Sequence, residues 1–403
     1  MMAIDDLWYL ARRDPETGAR RPSKRHGRGK RWRVRWNDPH TGETRTVLFE
    51  RKADAERHDV SALADISRGQ CVDPRAGKIT IAEYASQWRA HQLHRDSTTD
   101  IVERAFRLHI LPILGQFPMA DVRSSHIRAW VKATAENLSS STVHVVYSYV
   151  KSMFAAATID KVIASSPCVG IRLPEIGNCE FFIPDPAQIH GLADAISERY
   201  SPIPYLAAGC GLRGGEIFGL ELEQVDFLSR KIHVRQQLKR MPGVPPYLGE
   251  LKTKTSRRTV ELPEVVQLAL ARHVERYPIR EIMIEDRTEI RNIHQRPARL
   301  LFLTMHGRPL HRSNWSAVWR AAVRRAGLPP GFGLHGLRHY FATLLIHNGA
   351  AVKTVQLALG HSTPMITLNT YAHEWPDALD RTRTLVDAAL GSHPSAAAAE
   401  PGQ

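Results

Sequence analysis

The sequence predicts a mainly α protein with small β-sheets, an α+β chain of three folded regions, and three observations carry that reading. Apolar residues recur at helical spacing through most of the chain beyond residue 79, strict alternation is confined to a few short stretches, and Pro- and Gly-bearing breaks fall near residues 70–78 and 167–177. At about 150 residues per domain, a chain of 403 residues gives each region enough material to bury its own core.

The first region spans residues 1–75. Residues 31–36 read Arg-Trp-Arg-Val-Arg-Trp, which as a strand sets Trp32, Val34 and Trp36 on one face and Arg31, Arg33 and Arg35 on the other. One face packs and the other is left for an anionic backbone. Asp38 to Gly42 has turn chemistry, Thr44 to Phe49 reads as a second strand, and Lys52 to Ile66 as a helix with Ala53, Ala55 and Leu63 inside. Gln70 to Lys78 reads as a linker. Residues 78–174 are helical throughout, at Tyr84 to Gln92, Thr98 to Ile110, Ser124 to Ala135 and Ser140 to Thr158. Pro112 and Gly115 break the second helix from the third, and the serines from Ser139 supply an N-cap. In residues 180–390 helices are interrupted by strand-like Val225 to Gln237 and Arg257 to Leu262, which flank a Pro/Gly-rich connection at Met241 to Gly249. Helices follow at Glu264 to Tyr277, Arg312 to Ala326, Arg338 to Asn348 and Val352 to Leu359, and residues 391–403 read as a disordered tail.

Charge narrows the function. Fifty-five Lys and Arg against 41 Asp and Glu give +14, and the excess is local. Arg12 to Arg35 holds eleven basic and two acidic residues, Arg230 to Arg258 nine and one, so the rest of the chain nets −3. Two such segments fit two phosphate-contacting surfaces; a single basic run would fit a solvated face equally well. The four Cys form no CxxC pair and no zinc spacing, which predicts reduced thiols in a cytosolic protein. Asp5 and Asp6 stand where a secretion signal needs a basic and then an apolar stretch, and no apolar run approaches about 18 residues. No membrane partner is expected.

Four segments carry the chemistry: Gly211-Leu212-Arg213-Gly214-Gly215-Glu216, Leu251 to Arg258, Leu334-His335-Gly336-Leu337-Arg338-His339, and Leu359-Gly360-His361-Ser362 leading to Thr370-Tyr371. Each alone is weak, and in this order coincidence is remote. A phosphodiester under attack gains negative charge on its non-bridging oxygens, and guanidinium groups suit it because they donate two parallel hydrogen bonds and stay charged. Arg213 and Arg338 form that clamp. His335 lies three residues before Arg338, on the same helix face. Gly360 ends a helix at a left-handed position and aims His361 into the cleft. A phenol titrates near 10, so Tyr371 needs cations and a base to attack at neutral pH, and His335 can be that base. The deoxyribose leaving group needs an acid, which a Lys between the two strands supplies. No Asp/Glu/His cluster of metal spacing accompanies these residues, so neither metal nor other cofactor is expected.

These segments resemble the tyrosine recombinase (phage integrase) family, through about Phe181 to Leu390 and more loosely upstream. The resemblance implies that Arg213, Lys252, His335, Arg338, His361 and the nucleophile Tyr371 are catalytic, with Glu216 supporting the first Arg. Lys252 is preferred to Lys254 because the family pattern Lys-Thr-x-x-Ser-x-Arg starts there; Lys254, Arg257 and Arg258, with Arg31, Arg33 and Arg35, are then DNA contacts. Gly336 departs from the family's usual Asp. The resemblance further implies an arm-type DNA-binding domain at residues 1–75, a core-binding domain at 78–174 and a catalytic domain at 180–390. It implies cleavage through a 3′-phosphotyrosyl bond without ATP, four protomers on two duplexes carrying attachment sites, and a bacterial nucleoid setting, with a host DNA-bending protein and an excision factor as candidate partners whose need the sequence leaves open. A resolvase or transposase shares the chemistry, but simple resolving enzymes generally lack the N-terminal module. A non-catalytic DNA-binding regulator would gain nothing from a phenol beside a phosphate.

Overall fold

A computed structural model describes residues 3–14, 17–37, 44–67, 76–94, 96–177, 181–289, 291–374 and 386–387. The turn expected at Asp38 to Gly42, most of the linker after Gln70 and the tail at 391–403 lie outside them. The chain divides into two compact units, Met1–Asn178 and Cys179–Gln403.

The first unit opens with β1 (Ala3–Asp6), β2 (Tyr9–Arg13), β3 (Arg20–Pro22), β4 (Trp32–Asn37), β5 (Thr44–Phe49) and helix α1 (Lys52–Ser67). An antiparallel sheet of order β1-β4-β5 packs against α1, with Val34 and Ala55 fully buried, while β2 and β3 form a separate hairpin. The alternation at 31–36 predicts β4 and its packed face. It gives no hint that Asp5 and Asp6 line the neighbouring strand, where Asp5 stands opposite Arg33 in the ladder.

Helices α2 (Ile81–Ala90), α3 (Asp96–Ala105), α4 (Leu111–Leu114), α5 (Ser124–Ala135) and α6 (Ser140–Ile159) follow, around a core that includes Phe106, Trp130, Met153 and Phe154. Thr80 and Glu83 close a capping box on α2. The break expected at Pro112 and Gly115 falls at Gly115, and the helix is not interrupted by Pro112 itself. A π-turn over Phe106–Ile110, in which the Leu111 N–H reaches the Phe106 carbonyl, absorbs it and the helical path continues into α4. Among the described residues no helix is long and apolar enough to cross a membrane.

The second unit contains α7 (Pro186–Ala195), α8 (Pro202–Cys210), α9 (Gly214–Phe218), β6 (Val225–Asp226), β7 (Lys231–Val234), β8 (Gln237–Lys239), β9 (Tyr247–Gly249), β10 (Arg258–Glu261), α10 (Glu264–Arg276), β11 (Ile282–Arg287), β12 (His294–Ala298), α11 (Arg312–Arg325), α12 (Leu334–His347), α13 (Val352–Leu359) and α14 (Pro364–Tyr371). Its strands form sheets of order β10-β7-β6 and β12-β11-β9-β8. Helix α12 packs on α8, and α13 on α14 and β10. Strands β11 and β12 escape sequence reading because Glu285, Asp286 and Arg287 fill the second half of β11 and Pro297 sits inside β12. As an edge strand, β12 tolerates a residue without an N–H. Helix α12 begins four residues earlier than expected, so its first turn carries both His335 and Arg338.

Candidate active site

The C-terminal end of α13 gathers the site. The last carbonyls of a helix have no intrahelical partner and carry partial negative charge, and here three arginines supply the missing donors. Arg258 Nε donates to the Ala358 carbonyl at 2.8 Å, Arg338 Nη2 to Leu359 at 2.6 Å, and Arg213 Nη2 lies 3.4 Å from the Gly360 oxygen. Gly360 takes φ +65°, a left-handed C-cap, and a Cβ there would press on Arg258 and on the Ser256 backbone at 3.1 Å. The turn is therefore a glycine position twice over.

Arg213 N-caps α9, and its own N–H and its Nη1 both donate to Glu216, at 3.0 and 2.8 Å. Glu216 is 2% exposed and also accepts Arg258 Nη2 at 3.0 Å. Burial alone would raise its pKa; the charge and hydrogen bond of Arg258, then Arg213, bring it below the usual carboxylate value. The carboxylate thus acts as a buried strut between two guanidiniums.

Arg338 is almost wholly buried and spends two of its five N–H donors on the carbonyls of Gly211 and Leu359, at 2.5 and 2.6 Å. Burial, then Arg213, weakens its hold on the proton, although a guanidinium stays charged. Arg213 is the more open of the pair, its side chain 28% exposed. Both lie beside His361, whose Nδ1 bonds Thr367 Oγ1 at 2.9 Å. Burial, then Arg338 and Arg213, brings the His361 pKa down to about 4. His335 shifts the same way for the same reasons.

Tyr371 closes α14 and is 3% exposed. Its hydroxyl pairs with Nδ1 of His339 at 2.6 Å, not with His335, whose ring meets His339 edge-on at 4.6 Å between centroids. His339 stands in the quoted segment but no sequence signal gave it a role; its significance comes from α12 turning it toward α14. Burial pushes the phenol up to about 12, moderated by Arg338.

Lys252 and Lys254 are both exposed, in the segment between β9 and β10. That segment is tied to the arginines through Thr253 Oγ1 and Ser256 Oγ at 2.8 Å, with Ser256 Oγ 3.5 Å from Arg213 Nη1. Arg257 is exposed. Arg258 requires correction as a DNA contact: it is buried, and Glu216 and two backbone carbonyls take its guanidinium, so it braces Glu216 instead.

Gly336 has a steric explanation. A Cβ built on it would lie 2.3 Å from the Phe332 ring, which fills the space a longer side chain would need.

In the N-terminal module the strand arginines are not left open as expected. Arg33 and Arg35 pair with Asp5 at 2.7 and 3.0 Å, and Arg31 with Asp6 at 2.9 Å. Lys24, Arg25, Arg28 and Lys30 are exposed, on the 23–30 loop, and have no acidic partner among the described residues. Ser23 and Gly29 anchor that loop to Leu7 and Trp8.

The phage integrase family model matches residues 185–377, and that of the SAM-like N-terminal domain of phage integrases matches residues 80–134. The chain is 27% identical over 296 residues to the integrase of Mycobacterium phage D29, covering 73% of this chain and 74% of that one. It is 29% identical to a XerC-like tyrosine recombinase of Caldanaerobacter subterraneus subsp. tengcongensis, over 62% of this chain and 66% of that one. Among solved structures, the Tn1549 transposon integrase in complex with transposon right end DNA superposes with a TM-score of 0.66 at 25% identity, covering 78% of this chain and all of that one. A lambda integrase dimer bound to a COC′ core site shares the fold, with a TM-score of 0.55 at 14% identity over 86% of this chain and 94% of that one.

Proposed function

The chain belongs to the phage integrase family of tyrosine recombinases, enzymes that break and rejoin DNA at specific sites, and from that premise we propose how its residues divide the work. Tyr371 Oη attacks the scissile phosphorus, forms a 3′-phosphotyrosyl bond and expels a 5′-oxygen, which takes a proton from Lys252. Arg213, Arg338, His335 and His361 hold the non-bridging oxygens, where fixed donors in a water-poor site stabilise developing charge. Glu216 and Arg258 keep Arg213 in place. The bond energy stays in the adduct until a 5′-hydroxyl of the partner duplex displaces Tyr371, so no nucleotide is consumed.

The observation that carries this reading is the convergence of Arg213 and Arg338 on the end of α13, one short helix before Tyr371. Residues 180–390 are the catalytic domain, 78–174 the core-binding domain and 1–75 the arm-binding module. In the module the phosphate contacts are Lys24, Arg25, Arg28 and Lys30, because the arginines of β4 are already paired. Four protomers act on two duplexes to insert or excise a phage or mobile element, with a bending host protein and an excision factor as partners.

The test is a nicked duplex spanning one end of the element that carries the gene. Wild-type protein should be trapped covalently, and Tyr371→Phe should bind the duplex equally well and form no adduct. An adduct with Tyr371→Phe overturns the assignment of the nucleophile.

A further inference from the structure

The attacking phenol must lose a proton, and the group in contact with it is a residue outside the expected catalytic set. Resting on the reading of Tyr371 as nucleophile, we infer that His339 is the general base for strand cleavage, receiving the Tyr371 hydroxyl proton at Nδ1.

A base must first lie within hydrogen-bond reach of the proton it takes, and His339 Nδ1 stands 2.6 Å from Oη. Both residues are buried, at 6% and 3% exposed, so bulk water does not compete for the proton. The ring cannot swing away. Phe181 stacks on it at 4.1 Å and 19°, and His335 abuts it edge-on at 80°. With its proton on Nε2, the neutral ring presents a lone pair at Nδ1 to the phenol.

The electrostatics say when transfer occurs. Burial, then His335 and Arg338, holds His339 down to about 4, while burial holds Tyr371 up to about 12. In the DNA-free chain the proton therefore stays on oxygen and the nucleophile is idle. A phosphodiester seated against Arg213 and Arg338 brings negative charge to the groups that depress His339, and so strengthens the base where the substrate sits. As the Oη–P bond forms and the P–O5′ bond breaks, the phenol proton moves to Nδ1 and Lys252 protonates O5′. In the rejoining step the incoming 5′-hydroxyl gives its proton to Lys252, and His339 returns its own to the departing Tyr371 oxygen. The step balances without any further reactant.

The experiment is single-turnover cleavage of the same nicked duplex by the full chain. His339→Asn keeps an acceptor oxygen but cannot hold the proton; it should bind the duplex like wild type and form the adduct on the order of 100-fold more slowly. His339→Ala should be as slow and should recover about tenfold or more in added imidazole, a mobile substitute for the lost base. Cleavage by His339→Asn within about threefold of wild type, or no imidazole response from a duplex-binding His339→Ala, overturns the inference. Should His339→Ala fail to bind the duplex, the Asn variant decides alone. An adduct-free wild type would instead overturn the assignment of Tyr371, so the two failures are separable.

Discussion

In the N-terminal module Arg33 and Arg35 share Asp5, which is 29% exposed, whereas in the second unit Arg213 and Arg258 share Glu216, which is 2% exposed. The two arrangements have the same stoichiometry and opposite consequences. In water the pairing is weak and screened by salt, so it restrains the arginines only loosely. In the interior Glu216 and Arg258 cannot lose each other without a large desolvation cost, and Arg213 shares that buried carboxylate from its edge. The first is an adjustable surface and the second a rigid brace, which suits the roles proposed above, a module that tracks a phosphate backbone and a site that holds one phosphate in place.

The sharpest test of this contrast is Glu216→Ala, which takes the shared carboxylate from the buried Arg258 and the partly exposed Arg213 and should cost about 3–5 kcal/mol in denaturant unfolding. A loss under about 1 kcal/mol would erase the distinction between the two sites. Next in size is the double change Lys24→Ala with Arg28→Ala. Each phosphate contact contributes about 0.9 to the salt slope, so log affinity against log salt should flatten by about 1.8, roughly thirtyfold in affinity at 0.15 M salt. An unchanged slope would return the DNA contact to the arginines of β4.

Acid should loosen the second unit more than the module. His339 and His361 sit near 4 when folded and near 6.5 when unfolded, so between those values the unfolded chain binds more protons. The contribution of these two histidines is full above about pH 6.5, falls as the pH drops toward 4, and levels off below. Replacing His339 with Asn should recover on the order of 1–2 kcal/mol of that loss, read from unfolding midpoints at pH 7.5 and 4.5. The smallest effect belongs to Asp5→Asn. It should change stability by less than about 1 kcal/mol while steepening the salt slope as Arg33 and Arg35 come free. A destabilisation comparable with that of Glu216→Ala would show that the exposed pair is a brace too.

The same contrast explains what could be read in the sequence. Local rules reach what is local: the alternation that makes β4, the span of α13 and its Gly360 stop, and the ordered segments that hold Arg213, His335, Arg338, His361 and Tyr371. Pairings made across the fold escape them. Asp5 and Asp6 read only as an acidic start, and nothing near them names Arg31, Arg33 or Arg35 as partners. Arg258 reads as one more cation in a basic run until Glu216, 42 residues earlier, is seen to claim it. His339 follows Arg338 like any helix residue, and only the return of α14 gives it a phenol to touch. Pro112 misleads for a related reason, since the π-turn that accommodates it has no composition of its own.

The Phe332 ring that crowds Gly336 also bears on how such a chain can change. It meets the Phe182 ring at right angles, centroids 5.8 Å apart, and its carbonyl takes the Trp319 indole N–H at 2.7 Å. The two positions are therefore epistatic: a carboxylate can enter at 336 only after residue 332 has shrunk or turned. Order of substitution then decides which variants are viable, and among relatives the two sites should covary, an acidic residue at the first accompanying a smaller side chain at the second.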